Sequence, residues 1–194
     1  ILLPGQICAA LDPFTEADPL AILTNLLVMM GNLLPEPFFL TEQTKHHANI
    51  FITQVGSTSI ARKGQGLSTP SYIFNQLDFI WSSDCVIAGG GLSSGEGLIY
   101  QVRDASSRLD KEGMPLDDGV SDKRLLVLEQ ELGFPLQAMK REGNTLSATL
   151  RGAWDHNTLR PLTKTEPIVA TNPHISIIAH ITKPELLAGL NMIE

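Results

Sequence analysis

The sequence predicts an α/β domain built on a mainly parallel sheet with helices on both faces. Short runs of β-branched and apolar residues alternate with helical patterns, which is the order of elements in such a sheet. A length of 194 residues, 43% of them hydrophobic, suits one compact domain with a sizeable core. The unusual residues fall where the predicted strands end, which is the edge where parallel sheets bind ligands.

Composition narrows the class of protein. The net charge of −7, from 21 acidic and 14 basic residues, argues against a basic DNA-coating domain but allows a local basic site. Cys8 and Cys85 form neither a disulfide framework nor a zinc-ligand cluster. The longest apolar stretch, Leu20 to Met30, is too short to span a bilayer, and no signal peptide precedes it. We therefore expect a cytoplasmic protein without a membrane segment, and Ile1 in place of Met suggests a fragment.

The N-terminal elements follow from turn residues and capping. Prolines and a glycine predict that residues 1–15 form a linker to a domain over residues 16–194, which we expect to be truncated at both ends. Asp18 and Pro19 predict the start of a helix. Steps of three and four then predict a stripe that faces the core, formed by Leu20, Leu23, Leu27, Met30 and Leu34.

The remaining elements follow from the same patterns. Strands are predicted at Asn49 to Val55, Cys85 to Ala88, Arg124 to Glu129, Ile168 to Thr171 and His174 to Ile181. Helices are predicted at Thr69 to Trp81, Ser93 to Val102, Leu136 to Arg141, Thr145 to Trp154 and Leu186 to Ile193. The polar residues 105–123 predict an exposed loop. His46 and His47 lie in a loop with no third metal ligand near them in the sequence, which argues against a metal site there.

A glycine-rich basic segment follows the first of these strands and resembles a phosphate cradle. Its backbone amides, a lysine charge and the N-terminus of the next helix would hold phosphate. The candidate residues are Gly56, Ser57, Thr58, Ala61, Arg62, Lys63, Gly64 and Gln65. The segment departs from G-x-x-x-x-G-K-[ST], because Ala61 replaces a glycine, Arg62 holds the lysine spacing and Gly64-Gln65 replaces the hydroxyl residue. Ser68 or Thr69 is the alternative hydroxyl, and an ordinary basic loop is the alternative interpretation.

Two further strand ends carry polar residues. Glu129 and Glu131 follow the strand RLLVLE and would face the same way while the strand persists, which suits Mg²⁺ binding and water activation. A solvated strand end is the alternative. On the last strand a polar row of His174, Ser176, His180 and Thr182 shares one parity. His180 or Thr182 would sense a terminal phosphate, and a hydrogen-bonded core histidine is the alternative.

Two other constellations compete for a function. Gly91 to Gly95 matches the nucleophile elbow G-x-S-x-G, and a serine hydrolase would then use Ser93, Asp155 and His180. That interpretation leaves the basic loop and the acidic pair unexplained. The other constellation is basic: Lys140, Arg141 and Arg151 would contact a DNA backbone or the nucleotide of a neighbouring subunit. A solvated helix face is the alternative.

Six ordered segments, which span most of Glu16 to Leu190, resemble a known family. They are EADPLAILTNLLVMMGN, HHANIFITQVGSTSIARKG, GLSSGEGLIYQVRD, KRLLVLEQELG, REGNTLSATLRGAWD and HISIIAHITKPEL. The chain is similar to a P-loop-like domain-of-unknown-function family of phage, plasmid and genomic-island proteins, whose members occur beside bifunctional DNA primase/polymerases. Six blocks in order are more specific than any one of these motifs.

The resemblance implies a RecA-like P-loop ATPase core, similar to hexameric replicative helicases, with ATP and Mg²⁺ as cofactors. It implies that Lys63 and the loop amides hold the β- and γ-phosphates, that Glu129 organises Mg²⁺, and that Glu131 or Glu96 orients the attacking water. Single-stranded DNA and a homohexamer are the implied partners. Gln65 departs from the family pattern, which has a small hydroxyl residue there. A catalytically degenerate nucleotide-binding scaffold of a replication complex is the alternative.

Overall fold

A computed structural model describes residues 3–35, 39–41, 44–56, 63–76, 86–88, 90–161 and 167–190 of the chain. Its helices are α1 Leu3–Leu11, α2 Pro19–Asn32, α3 Lys63–Asn75, α4 Gly95–Tyr100, α5 Gly133–Met139, α6 Leu146–Trp154 and α7 Lys183–Leu190. Its strands are β1 Phe39–Thr41, β2 Thr44–His46, β3 Phe51–Gly56, β4 Val86–Ala88, β5 Arg124–Glu129 and β6 His174–Thr182. A short 3₁₀ helix, Asp12–Phe14, follows α1.

The main sheet is parallel and its strands lie in the order β3-β6-β5-β4. The chain passes from β3 to the far edge at β4, then returns through β5 to β6, which lies beside β3. Because crossovers between parallel strands are right-handed, this reversal of direction places the connecting helices on opposite faces of the sheet. β1 and β2 form a separate antiparallel pair. The predicted α/β class, a parallel sheet covered by helices, is confirmed.

Each face of the sheet packs against its own set of helices. One core joins alternate residues of β5 and β6 to α4 and α6, and it includes Leu98, Leu125, Leu146 and Ile175. The other joins the intervening strand residues to α2 and α3, and it includes Ile22, Leu67, Leu126 and Ile178. Since β5 and β6 are buried on both faces, both strands are apolar over most of their length.

The segment expected to be a linker is helical instead. α1 occupies residues 3–11, and its Ile7, Cys8 and Leu11 pack against the core on the α2 side. Pro4 lies in the first turn, where a helix needs no N–H from that residue. Proline and glycine therefore mark the start of a helix here, and apolar residues at i, i+1 and i+4 hold it in place.

α2 begins where predicted but turns a different side to the core. Leu20 N donates to Asp18 Oδ1 over 2.8 Å at the N-terminus. The predicted stripe is wrong at Leu20, Leu27 and Leu34, which are 65%, 41% and 47% exposed, whereas Met30 packs against the core as predicted. The buried residues are Ile22, Asn25, Leu26, Val28, Met29, Gly31 and Asn32. The helix is apolar on most sides, and its two buried asparagines decide which side faces the sheet.

α3 starts at Lys63, earlier than the predicted Thr69, so part of the basic segment is helical. Pro70 lies inside the helix. The predicted C-terminal end at Trp81 falls outside the described residues.

Asn25 compensates for the proline within α3. Pro70 has no N–H, so Gly66 O, four residues earlier, lacks its helical donor. Asn25 Nδ2 donates to that carbonyl over 2.8 Å, and Gln54 Nε2 of β3 donates to Asn25 Oδ1 over 2.9 Å. Gly66 permits the close approach, because a Cβ there would lie 3.1 Å from Ala21 Cβ. α2, α3 and β3 are thus joined through one buried carboxamide.

The other predicted elements differ little from the observed ones. The strand at Arg124 to Glu129 has its predicted bounds, and Ser94 Oγ caps α4 by accepting from Gly97 N over 3.1 Å. The predicted strand at Ile168 to Thr171 is wrong: the structure has only an isolated bridge between Ala170 and Leu159. In the described part of the chain, no helix combines the length and apolar character required to cross a bilayer.

We expect Asn25→Ala to lower the free energy of unfolding by about 2 kcal/mol, because it leaves the buried Gly66 carbonyl without a donor. In a Pro70→Ala background residue 70 regains its N–H, so the same change should cost roughly 1 kcal/mol less. Urea denaturation of the four proteins measures this coupling. Asn75→Ala, at an exposed asparagine of α3, serves as the control and should change stability by less than about 0.5 kcal/mol. Equal costs of Asn25→Ala in both backgrounds would contradict the assignment.

Candidate functional site

The strand order brings several predicted site residues to the carboxyl edge of the sheet. In the register of β3 and β6, Gly56 lies beside Thr182 and Gln54 lies beside His180. Glu129, the last residue of β5, lies beside Ala179 on the other side of β6. One strand, β6, therefore separates the end of β3, which precedes the basic segment, from the end of β5, which carries the first residue of the acidic pair.

A cavity of about 340 Å³ lies at this edge, beside the N-terminal turn of α3. Its lining residues are Gly64, Leu67, Ser68, Ser71, Gln130 and His180. It is open to solvent, and Gly64 leaves its mouth clear, since no atom lies within 4 Å of a Cβ built there. The start of α3, His180 and Gln130, the residue after Glu129, therefore border one cavity.

The predicted phosphate-binding residues fall partly outside the described part of the chain. Ser57, Thr58, Ala61 and Arg62 lie outside the described residues. Lys63 is described only as the first residue of α3. Gln65 is exposed in the first turn of α3, and its carbonyl oxygen accepts a hydrogen bond from Ser68 Oγ over 3.2 Å. Ser68, which sequence reasoning offered as an alternative hydroxyl, lines the cavity directly.

Glu129 is buried, and backbone N–H groups surround its carboxylate. Oε2 accepts from Gly91 N at 3.2 Å and Leu92 N at 3.4 Å, and Oε1 accepts from Glu131 N at 3.2 Å. Its side chain also lies close to Gly90, which has a φ of +87° and where a Cβ would meet Oε1 at 2.8 Å. The carboxylate thereby fastens the turn after β4 to the end of β5.

The other two predicted acidic residues lie apart from Glu129. β5 ends at Glu129, so Glu131 is not on the strand, and the predicted shared direction of the pair is not realised. The physical reason is the bond from Glu131 N to Glu129, which turns the chain away from the sheet. Glu96 lies in the first turn of α4, where it is exposed and accepts a hydrogen bond from Thr145 Oγ1 over 2.9 Å. Neither side chain lines the cavity.

Thr182 and Glu185 form a capping box at the start of α7. Thr182 Oγ1 donates to Glu185 Oε2 over 2.7 Å, and the same carboxylate oxygen accepts from Thr182 N over 3.0 Å. Glu185 N donates back to Thr182 Oγ1 over 3.3 Å. The hydroxyl predicted to sense phosphate is therefore engaged in ending β6 and starting α7.

His180 differs from Thr182 because its ring is both buried and at the cavity wall. The residue is 6% exposed, and its backbone oxygen accepts from Leu132 N over 2.9 Å. Its strand neighbour Gln54 is held by α2 through the carboxamide network described above. Of the predicted polar row, His180 is thus the residue placed to meet a ligand in the cavity.

The serine hydrolase alternative is wrong in its geometry. His180 lies at the carboxyl end of β6, whereas Asp155 lines a different cavity together with His156 and Arg124, the first residue of β5. Those residues lie at the amino edge of the sheet. Six residue steps of β6, roughly 20 Å, separate the two edges. Ser93, His180 and Asp155 cannot form a triad across this distance.

Lys140, Arg141 and Arg151 are exposed on the α5–α6 side of the domain. Arg151 Nη1 donates to Ser147 Oγ over 3.2 Å, one turn earlier on α6. These three residues are accessible to a partner, as predicted for a basic surface, and an ordinary solvated helix face has the same appearance.

Sequence reasoning missed a cluster of three histidines at the amino edge. His47, His156 and His174 have ring nitrogens that all lie within 4.8 Å of one another. Burial, together with the charges of the neighbouring His47 and His174, lowers the pKa of His156 to about 4. Burial also lowers the pKa of His174. The rings of His156 and His174 are therefore neutral at pH 7. The three histidines are far apart in the sequence, so nothing in the sequence indicated that they are in contact.

Comparison with protein-family models finds no match to this chain, and comparison with curated proteins finds none either.

We expect Glu129→Gln to lower the free energy of unfolding by about 1–2 kcal/mol without any ligand, because the amide group removes an acceptor from the buried N–H groups. Urea denaturation measures the change. Glu131→Gln, at an exposed carboxylate two residues later, is the matched control and should alter stability by less than about 0.5 kcal/mol. If Glu129→Gln is as stable as the parent, the carboxylate does not hold the turn.

Proposed function

We propose that this domain binds ATP at the carboxyl edge of its sheet and serves as the nucleotide-binding motor domain of a mobile-element DNA helicase or primase–helicase. The observation that carries the proposal is the open cavity where the N-terminal turn of α3 meets His180 and the end of β5. The RecA-like P-loop fold is part of the proposal, supported by the position of β6 between the strand before the basic segment and the strand before the acidic pair.

The electrostatics of α3 suit a phosphate group. The helix runs for 13 residues and has no acidic residue in its first turn. The free N–H groups of such an N-terminus carry roughly half a positive charge and attract anions. Ser68 Oγ adds a hydroxyl from the second turn. The basic residues Arg62 and Lys63 precede and begin this helix, which supplies the cationic charge in the sequence.

The size and shape of the cavity favour a polyphosphate over a buried apolar ligand. Its volume of about 340 Å³ is at the small end of the range for ligand pockets. It opens to solvent, so a nucleotide would place its phosphates against α3 and keep much of its base and sugar outside the described cavity. His180 at the inner wall is the group that would meet the terminal phosphate.

The described residues do not fit a Mg²⁺ site at Glu129. Both of its carboxylate oxygens accept backbone N–H bonds, and the residue is 2% exposed. A cation would have to displace those donors. The groups of this chain that would bind phosphate are therefore the N-terminus of α3, Ser68 and Lys63.

A degenerate scaffold that binds ATP without hydrolysing it is the second candidate. The engagement of Glu129 in the turn after β4, and of Thr182 in the capping box, favours it. The family resemblance implies a place in the catalytic machinery for both Glu129 and Thr182. The two candidates share the nucleotide site and differ in turnover.

We expect Lys63→Ala and Ser68→Ala each to weaken ATP binding, with Lys63→Ala costing about tenfold or more in Kd, since a charged hydrogen bond to phosphate contributes roughly 1.5–3 kcal/mol. Titration with a fluorescent ATP analogue, with and without Mg²⁺, measures the affinity, and inorganic tripolyphosphate as competitor reports on phosphate recognition alone. Lys111→Ala, at an exposed lysine of the 105–123 loop, is the control and should bind as the parent does. An unchanged Kd for Lys63→Ala would overturn the site.

Turnover separates the two candidates. ATP hydrolysis stimulated by single-stranded DNA and lost in Lys63→Ala supports the motor, and ATP binding without hydrolysis supports the scaffold.

A further inference from the structure

We propose that His47, His156 and His174 form a binding site for a divalent transition-metal ion, with Zn²⁺ as the ion that the donor set fits best. The three imidazoles come from distant parts of the chain: the residue after β2, the second residue after α6 and the first residue of β6. Their nitrogens lie within 4.8 Å of one another. Three imidazoles with an open fourth position form a donor set that zinc proteins use.

The hydrogen bonds of two rings leave their inner nitrogens able to bind a metal. His174 Nε2 lies 2.9 Å from Gly31 O, and His47 Nδ1 lies 3.2 Å from Pro35 O. A carbonyl oxygen only accepts, so each of these ring nitrogens carries the hydrogen. His174 Nδ1 and His47 Nε2 therefore hold the lone pairs. A backbone carbonyl that fixes the tautomer in this way is the usual second partner of a metal-bound histidine.

The spacing of the ring nitrogens suits a shared ion once one ring has turned. His174 Nδ1 lies 3.4 Å from His156 Nε2. Two nitrogens bound to a tetrahedral zinc ion at about 2.05 Å lie roughly 3.3 Å apart. The rings of His47 and His156 are stacked at 3.5 Å and an angle of 4°, so one of them has to turn for both lone pairs to meet the ion. Both residues line the open cavity, which gives the ring space to turn.

The backbone places His156 at a strained position. His156 N donates to Ala153 O and Asn157 N donates to Gly152 O, which is the pattern of a Schellman motif at the end of α6. His156 occupies the left-handed residue of that motif, with a φ of 56°, where glycine is usual. A histidine here costs about 1 kcal/mol or more, and residues in such conformations concentrate at ligand sites.

Asparagines position the cluster from both sides. Asn49 Nδ2 donates to Ala153 O over 3.2 Å and to Trp154 O over 3.1 Å, which holds the segment of His47 against the end of α6. Asn32 Nδ2 donates to the backbone oxygen of His174 over 3.3 Å. The backbone segments that carry the three histidines are thus held in place by side chains outside the cluster.

The fourth coordination position opens towards solvent. A cavity of about 790 Å³ is lined by His47, His156 and Asp155, among others. Water or the Asp155 carboxylate would complete a tetrahedron from that side. The cavity is at the amino edge of the sheet, so this site is separate from the proposed nucleotide site.

The test is titration of the full chain, freed of metal by a chelator and dialysed, with ZnCl₂ by calorimetry and with CoCl₂ by visible absorption. We expect one equivalent of Zn²⁺ to bind and Co²⁺ to give the intense bands of a tetrahedral site. His47→Ala and His156→Asn should each weaken Zn²⁺ binding about 100-fold. Asn tolerates the left-handed conformation, so His156→Asn removes the ring and retains the backbone.

His46→Ala is the matched control, since His46 is exposed, adjacent and outside the cluster. It should bind Zn²⁺ as the parent does. Circular dichroism in chelator checks that each variant is folded, and His47→Ala alone decides the matter if His156→Asn does not fold. No Zn²⁺ binding by the parent, a purely octahedral Co²⁺ spectrum, or equal losses in His46→Ala and His47→Ala would overturn the site. ATP binding, measured in the presence of chelator, tests the proposed nucleotide site separately and does not depend on any of these results.

Discussion

The side chain of Asn25 joins three elements because Pro70 leaves the carbonyl of Gly66 without its helical donor. The carboxamide donates to that carbonyl and accepts from Gln54, so α2, α3 and β3 meet at one buried polar group. Within a core, hydrogen bonds of this kind favour one arrangement, because a displacement would break them and leave the Gly66 carbonyl without a donor. α3 therefore has a defined angle to the sheet. The N-terminal turn of α3, which forms one side of the carboxyl-edge cavity, is placed by the same contact.

Buried hydrogen bonds also hold the segment after β4 against the end of β5. Glu129 replaces water as the acceptor for backbone N–H groups of the turn after β4. Charge-assisted bonds of this type are strong, and a cation at the same carboxylate would compete with them. The acidic strand end is thus part of the architecture, and the positive character of the described part of this edge comes from the N-terminus of α3. This distribution of charge suits an anion more than it suits a hydrated cation.

The sequence predicted those features that local chemistry determines. The apolar run of β5 and the Asp18 cap were both predicted correctly, because each depends on a few adjacent residues. The face of α2 was read wrongly, since spacing alone does not rank a leucine stripe against one containing Asn25 and Asn32. The capping box of Thr182 and Glu185 is visible in the sequence as T-x-x-E, but it was not predicted. The contact between His47 and His156 had no local signal, because it depends on how α6 meets the strands.

The two ends of β6 explain why a polar row can exist on a buried central strand. A strand between two neighbours has no solvent beside it, so its polar side chains need partners within the protein or a site at either end. His174 has Gly31 O at the amino end, and His180 borders the cavity at the carboxyl end. Ser176, between them on the strand, has no hydrogen-bond partner for its hydroxyl among the described residues.

Since the strand holds the two histidines about 20 Å apart, an ion bound to the three histidines has no contact with a nucleotide at the other edge. Its effect is therefore on stability: it would join the start of β6 to the ends of β2 and α6, and it would favour the folded chain in proportion to its occupancy.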